Sequence, residues 1–239
     1  MGISVMPLGD QAVVVNFEQQ INPVIHQKVL DLSRQIEQKK VEGINFISPA
    51  YCSITIGYDP VKIPYSRLGK LVKELSTQPV VSGKTHARKV TIPVCYHEKF
   101  ALDLEEVSRL SGLSKKEIIV IHTDEIYRVY MLGFLPGFPY LGVLPESLQL
   151  PRKAKPVLRI PERSIAIAGK QTGIYPAESP GGWYVVGRTP MPLLRKNPLN
   201  NFVLRPGDEV KFRSISLSVY QELILKVKEQ IFDWDSIYE

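Results

Sequence analysis

Two stretches of this 239-residue chain gather the residue types that bind or transform small polar molecules. The first runs from His122 to Gly142, where Gly133, Gly137 and Gly142 alternate with prolines, among them Pro136, and with Phe134, Phe138 and Tyr140. Prolines stiffen such a segment, and glycines let backbone approach a ligand closely. Three rings in so short an irregular run either cap a hydrophobic core or line a pocket or an interface. His122, at its head, is either a structural hydrogen-bonding group or a proton carrier, the single catalytic candidate.

The second stretch holds Ile165–Tyr175 and Ser179–Pro190. Gln171 stands between Gly169 and Gly173, where an amide reaches a ligand without steric competition. Arg188 follows Gly187 directly after a strand pattern, a place where a guanidinium fork can hold a carboxylate. Arg152 and Arg159 add charge in the same half, Tyr175 adds a hydroxyl, and Trp183 an aromatic wall. Each of these singly has a surface or structural alternative. Their crowding into one Gly/Pro-rich half points to a pocket.

Charge supports that direction. The net charge is +6, and residues 151–213 carry twelve Lys and Arg against four Asp and Glu. Such a field favours carboxylates, phosphates or an acidic partner. Basic residues interleaved with aromatics along one element are absent, so nucleic acid is not expected. No G-x-S-x-G, H-E-x-x-H or paired C-x-x-C motif occurs, so neither a self-contained hydrolase nor a metal site is expected. Gly83-Lys84-Thr85 resembles part of a phosphate loop, but Gln78 stands where that loop requires Gly, and a strand pattern follows instead of a helix. Cys52 and Cys95 are too few for a disulfide framework and read as reduced thiols. No apolar run reaches the roughly 18–20 residues of a membrane span, and the first residues lack a signal-peptide pattern. A cytoplasmic protein without membrane contact is expected.

The elements that must position these residues read as α+β. Strand patterns at 13–17, 44–47 and 53–56 and helix patterns from Asn22-Pro23 to Lys40 and from Ser66 to Leu75 precede a strand at 89–94. That βαββαβ order suggests a small ferredoxin-like domain over 1–85. A polar linker is expected at 76–88. Capping-box patterns at Asp103–Glu106 and Ser114–Glu117 start two short helices. Short strands separated by Gly/Pro turns then suggest an antiparallel barrel or sandwich within 86–239, with a final helix in Leu217–Phe232.

The same segments resemble a known family. Gly133-Phe-Leu-Pro-Gly-Phe-Pro-Tyr-Leu141, Pro151-Arg152, Ile167–Pro176 and Ser179–Pro190 look like the allophanate hydrolase subunit 1 family, as do Leu8–Asp10, Pro49-Ala50, His122-Thr123 and Arg205–Asp208. That family includes the B subunit of bacterial 5-oxoprolinase and the sporulation kinase inhibitor of bacilli. The resemblance implies an α/β N-terminal domain and a cyclophilin-like β-barrel. It also implies companion subunits (C and A) and ATP with Mg shared across a complex that opens 5-oxoproline to glutamate. His122, Arg152, Arg159, Gln171, Tyr175 and Arg188 are then the candidates for substrate, nucleotide and proton. Inhibition of a sensor histidine kinase, or a place in urea or allophanate metabolism, are the alternatives it leaves open. One departure is Ile160-Pro-Glu-Arg-Ser-Ile165, where Glu162 and Arg163 put a charge pair in a turn that relatives fill with small residues.

Overall fold

A computed structural model describes residues 2–79, 87–195 and 202–238. The chain divides into two compact units, Met1–His86 and Ala87–Glu239. The residues between Pro79 and Ala87, which hold most of the expected linker and Gly83-Lys84-Thr85, lie outside the described residues.

The first unit contains β1 (Ser4–Pro7), β2 (Ala12–Asn16), α1 (Pro23–Gln38), β3 (Ile44–Pro49), β4 (Ser53–Tyr58) and α2 (Tyr65–Thr77). Asn22 starts α1 as its sequence implies: the side-chain oxygen accepts from the amides of Val24 (2.7 Å) and Ile25 (3.4 Å), with Pro23 next in line. The strands form one antiparallel sheet in the order β1-β2-β4-β3. Val13, Val15, Ile54 and Ile56 point to one face and pack with Val29, Leu32 and Ile36 of α1 and Leu68, Val72 and Leu75 of α2. This corrects the ferredoxin-like reading. The expected closing strand, residues 89–94, is not in this sheet, and its place beside β2 is taken by β1.

The second unit contains β5 (Lys89–Val94), α3 (Leu104–Ser111), α4 (Lys115–Asp124), β6 (Ile126–Leu132), β7 (Pro139–Gly142), β8 (Val157–Ile160), β9 (Ser164–Ala168), β10 (Gln171–Ile174), β11 (Ser179–Gly181), β12 (Tyr184–Arg188), β13 (Glu209–Ser214) and α5 (Leu217–Lys228). Seven of these strands form a curled sheet in the order β12-β9-β10-β7-β6-β13-β5. β5 pairs parallel with β13, from Lys89–Glu209 to Val94–Ser214, while the other pairings are antiparallel. Its outermost strands, β5 and β12, meet at one corner. There the Cys95 amide donates to the Arg188 carbonyl (2.8 Å) and the Arg188 amide to the Cys95 carbonyl (3.0 Å).

One face of the curled sheet collects apolar side chains from all seven strands, together with Leu104, Val107 and Ile118 of the helices. The opposite face of β9, β10 and β12 carries a second, smaller core of Phe138, Ala166, Ala168, Tyr175, Trp183 and Val185, joined by Ile160 of the separate antiparallel β8–β11 pair. Ser114 and Glu117 form the expected capping box. Asp103 does not cap α3, because its carboxylate is engaged elsewhere.

Candidate functional site

The smaller core is where the sequence-predicted aromatic residues converge. Phe138, nearly fully buried, is its hub. Four rings surround it: Tyr140 (5.0 Å between centroids), Tyr175 (5.1 Å), Trp183 (5.5 Å) and Phe134 (5.7 Å), three of them edge-on. Edge-to-face packing at these spacings stabilises each pair by roughly 0.5–1.5 kcal/mol beyond the area it buries. Two glycines admit this packing. A Cβ on Gly173 would lie 2.9 Å from the Phe138 ring, and one on Gly181 would lie 2.4 Å from the Tyr175 hydroxyl oxygen.

The β6–β7 connection that delivers Phe134 and Phe138 is held by its own backbone. Gly133 N–H donates to the Phe138 carbonyl (3.1 Å), and Phe138 N–H to the Leu135 carbonyl (3.0 Å). Phe134 (φ 68°) and Gly137 (φ 81°) both adopt the left-handed conformation, which glycine tolerates and phenylalanine rarely takes. The outcome is a Phe134 that is 62% exposed at the rim, followed by an exposed Pro136 and a buried Gly137. The rings therefore serve both as core and as surface. Phe138, Tyr175 and Trp183 make a core, and Phe134 with the half-buried Tyr140 offers a surface.

Arg152 stands within electrostatic reach of Tyr140 and Tyr175, where its charge favours the phenolates. Burial outweighs that influence: the Tyr175 hydroxyl is pushed up to about 12, so it stays a donor at neutral pH. An aromatic shelf fringed by one guanidinium and the half-buried Tyr140 phenol, with Tyr175 behind it in the core, can hold a small ring compound bearing a carboxylate.

Residues that sequence reasoning missed hold Arg152 in place. Lys153 Nζ contacts Asp103 Oδ1 at 2.6 Å, with both side chains largely buried, and lies 5.4 Å above the Tyr184 ring. Asp103 Oδ2 accepts from the Val185 amide (2.7 Å), and Lys153 N–H donates to the Gly182 carbonyl (2.8 Å). Arg152 and Trp183 are the chain neighbours of Lys153 and Gly182, so this clamp fixes them relative to one another. The capping-box pattern at Asp103 was the signal: its acid serves the clamp and not the helix.

Other candidates lie elsewhere. His122 is buried on the opposite face of the sheet, stacked 4.7 Å from Phe212. Thr172 Oγ1 donates to the Ala166 carbonyl (3.1 Å), so toward His122 Nε2 (3.0 Å) it accepts. Nε2 then carries the proton, and Nδ1 accepts from the Tyr96 hydroxyl (2.7 Å). Burial pushes the imidazole down to about 3, and both nitrogens are occupied by protein. This is the geometry of a structural histidine.

Arg188 lies at the corner where β5 meets β12, its Nε donating to the Glu162 carbonyl (2.9 Å) and its guanidinium 5.8 Å from the Phe100 ring centroid. Arg159, largely exposed, faces Glu178 at 3.8 Å. Gln171, half-buried, begins β10 beside Gly142 and Ala168. Of the Glu162–Arg163 pair only Arg163 turns inward: it contacts the exposed Glu162 and donates from Nη1 to the Pro190 carbonyl (3.1 Å). Among the described residues no group of three or more His, Cys, Asp and Glu could hold a metal, and no helix is long and apolar enough to cross a membrane. Cys95 is buried and Cys52 half-buried, and both are free thiols.

Comparison with known proteins places this architecture. Residues 3–204 match the family described as carboxyltransferase domain, subdomain C and D. The chain belongs to that family. It is 39% identical over 223 residues to the 5-oxoprolinase B subunit of Bacillus subtilis, covering 89% of this chain and 93% of that protein. The identity to the 5-oxoprolinase B subunit of Haemophilus influenzae is 34%, covering 88% and 97%. Among solved structures, TTHA0988 is 36% identical with a TM-score of 0.76; the match covers 86% of this chain but 40% of that longer one. The urea amidolyase of Kluyveromyces lactis shares the fold (TM-score 0.78 at 18% identity), this chain corresponding to 16% of it.

Proposed function

We propose that this chain is the B-type subunit of an ATP-dependent 5-oxoprolinase, a complex that opens 5-oxoproline to L-glutamate. The observation that carries the reading is the 34–39% identity, nearly end to end, to proteins named as B subunits of 5-oxoprolinase. We read the corner-pinned sheet as the cyclophilin-like barrel of that family.

The aromatic shelf fits the chemistry. 5-Oxoproline is a five-membered lactam with one carboxylate. Arg152 pairs with the carboxylate, Tyr140 and Phe134 pack on the ring methylenes, and the Tyr140 hydroxyl serves as a donor to the lactam carbonyl, where negative charge grows as water adds, while Tyr175 backs the shelf from the core. Arg159 and Gln171 lie outside this minimal set and are assigned to contacts with the remainder of the complex. Phosphate-binding parts and Mg come from that remainder, since the chain's one glycine-lysine-threonine run lacks the required loop pattern. ATP drives the ring opening by activating an amide that is otherwise a poor electrophile.

The test is 5-oxoproline-dependent ATP hydrolysis after reconstitution with companion subunits. The chain alone should be inactive and the mixture active. Arg152→Gln should lower kcat/KM for 5-oxoproline about ten- to a hundred-fold, the value of one charge-assisted hydrogen bond. A reconstituted complex indifferent to 5-oxoproline would overturn the reading.

A further inference from the structure

The four strands of the first unit contain no Asp, Glu, Lys or Arg, although charged residues make up 23% of the chain. α1 and α2 cover one face of their sheet. Strand alternation sends Met6, Ala12, Val14 and Phe46 to the other, interspersed with uncharged polar side chains such as Asn16, Ser48 and Thr55. Met6 is 55% exposed and Phe46 53%, the Phe46 ring lying so close over Gly57 that a Cβ there would be 2.0 Å away. A sheet face exposed to water ordinarily carries charged residues, and open edges are ordinarily guarded by lysines. Loss of charge together with exposed Met and Phe is the composition of an interface centre.

A second copy of the chain is a poor occupant. Four strands about 4.8 Å apart and about five residues long present one face of roughly 300 Å², so a pair of such faces buries about half of what a stable dimer needs. A larger polypeptide that also contacts other parts of the chain meets the requirement. TTHA0988 supplies the precedent, because more than half of its chain lies beyond the part that this one matches. We propose that the uncharged face of the β1-β2-β4-β3 sheet docks the companion polypeptide corresponding to that additional part of TTHA0988, through an uncharged surface centred on the exposed Met6 and Phe46. The inference rests on the functional reading above, and names where the partner sits.

The experiment uses the full chain and a purified companion corresponding to the part of TTHA0988 outside the match. Hydrogen exchange of the native chain should slow in residues 4–16 and 44–58 when the companion is added. Met6→Lys and Phe46→Lys should each raise the dissociation constant at least ten-fold with melting temperature retained, while Val61→Lys, at a 92% exposed loop position, should not. If Phe46→Lys unfolds the unit, Met6→Lys and the exchange map decide. No binding, protection confined to other segments, or unchanged affinity of Met6→Lys would each overturn the proposal. So would a homodimer of the free chain that Met6→Lys dissociates. A complex assembled through this face yet inert toward 5-oxoproline would leave the surface standing and remove the functional reading.

Discussion

Cys95 and Arg188 exchange both of their backbone hydrogen bonds, and this one pair joins the two outermost strands of a seven-stranded sheet. A curled sheet otherwise ends in two open edges. Here the corner is tied by two bonds of 2.8 and 3.0 Å, and the Arg188 side chain adds a third to the Glu162 carbonyl.

Gly187 makes that approach possible. A Cβ at 187 would lie 2.8 Å from Val94 Cγ1 and 3.2 Å from the Cys95 carbonyl oxygen. Gly187→Ala should therefore push β12 off β5 and destabilise the protein by about 1–3 kcal/mol, the usual cost of overpacking. Calorimetry should show the melting temperature lowered by several degrees.

Arg188→Lys should act on the same corner. Lysine cannot keep the bond from Nε to the Glu162 carbonyl while covering Phe100. The expected loss is about 1 kcal/mol in chemical denaturation. Turnover of the reconstituted complex should stay within about two-fold, because the guanidinium is engaged by the fold rather than by substrate. A hundred-fold drop in kcat/KM with an unchanged melt would return Arg188 to the site.

His122 sets an acid limit. Its folded-state value, about 3, lies below the ordinary 6.5, so on acidification the unfolded chain takes the proton first. The contribution of neutral His122 is complete above about pH 6.5 and is withdrawn as pH falls toward about 3, at roughly 1.4 kcal/mol per unit. Urea titrations at pH 7 and pH 5 should show about 2 kcal/mol more loss in the wild type than in His122→Gln, which does not titrate there.

The Lys153–Asp103 clamp should couple stability to the aromatic shelf. Lys153→Met leaves a largely buried carboxylate with only the Val185 amide, at a cost of about 2–4 kcal/mol. In a Trp234→Phe background the emission of Trp183 alone should become more quenchable by acrylamide, reporting its release. Lys153→Arg should restore much of both signals.

Much of the local structure is legible in the sequence. Asn22-Pro23 marks a helix start that the structure keeps, and Ser114 with Glu117 forms the box that their spacing implies. What the sequence hides are partners distant along the chain. Residues 89–94 have a strand's composition, but composition names no neighbour, and their partner β13 lies 120 positions later. β1 escapes notice because four residues ending in proline make a weak pattern. His122 looks ambivalent until Tyr96 and Thr172, 26 and 50 positions away, are found on its two nitrogens. Arg188 illustrates the same gap: Gly187 beside it suggests ligand access, whereas the glycine admits Val94 and Cys95. The aromatic cluster is readable because its rings come from dense local motifs.

The pairing of β5 with β13 also sets an order of events during synthesis. Every strand among the described residues of the first unit lies before residue 59, so the sheet they form pairs with no later strand. The second unit begins with β5, whose parallel neighbour ends only at Ser214. A ribosome adding about 5–20 residues per second must therefore complete some 120 more residues before β5 has its partner. The early unit can fold as it emerges, while the apolar strand Lys89–Val94 waits. That waiting strand is the part of the chain where premature pairing, with a chaperone or with another nascent copy, has most time to occur.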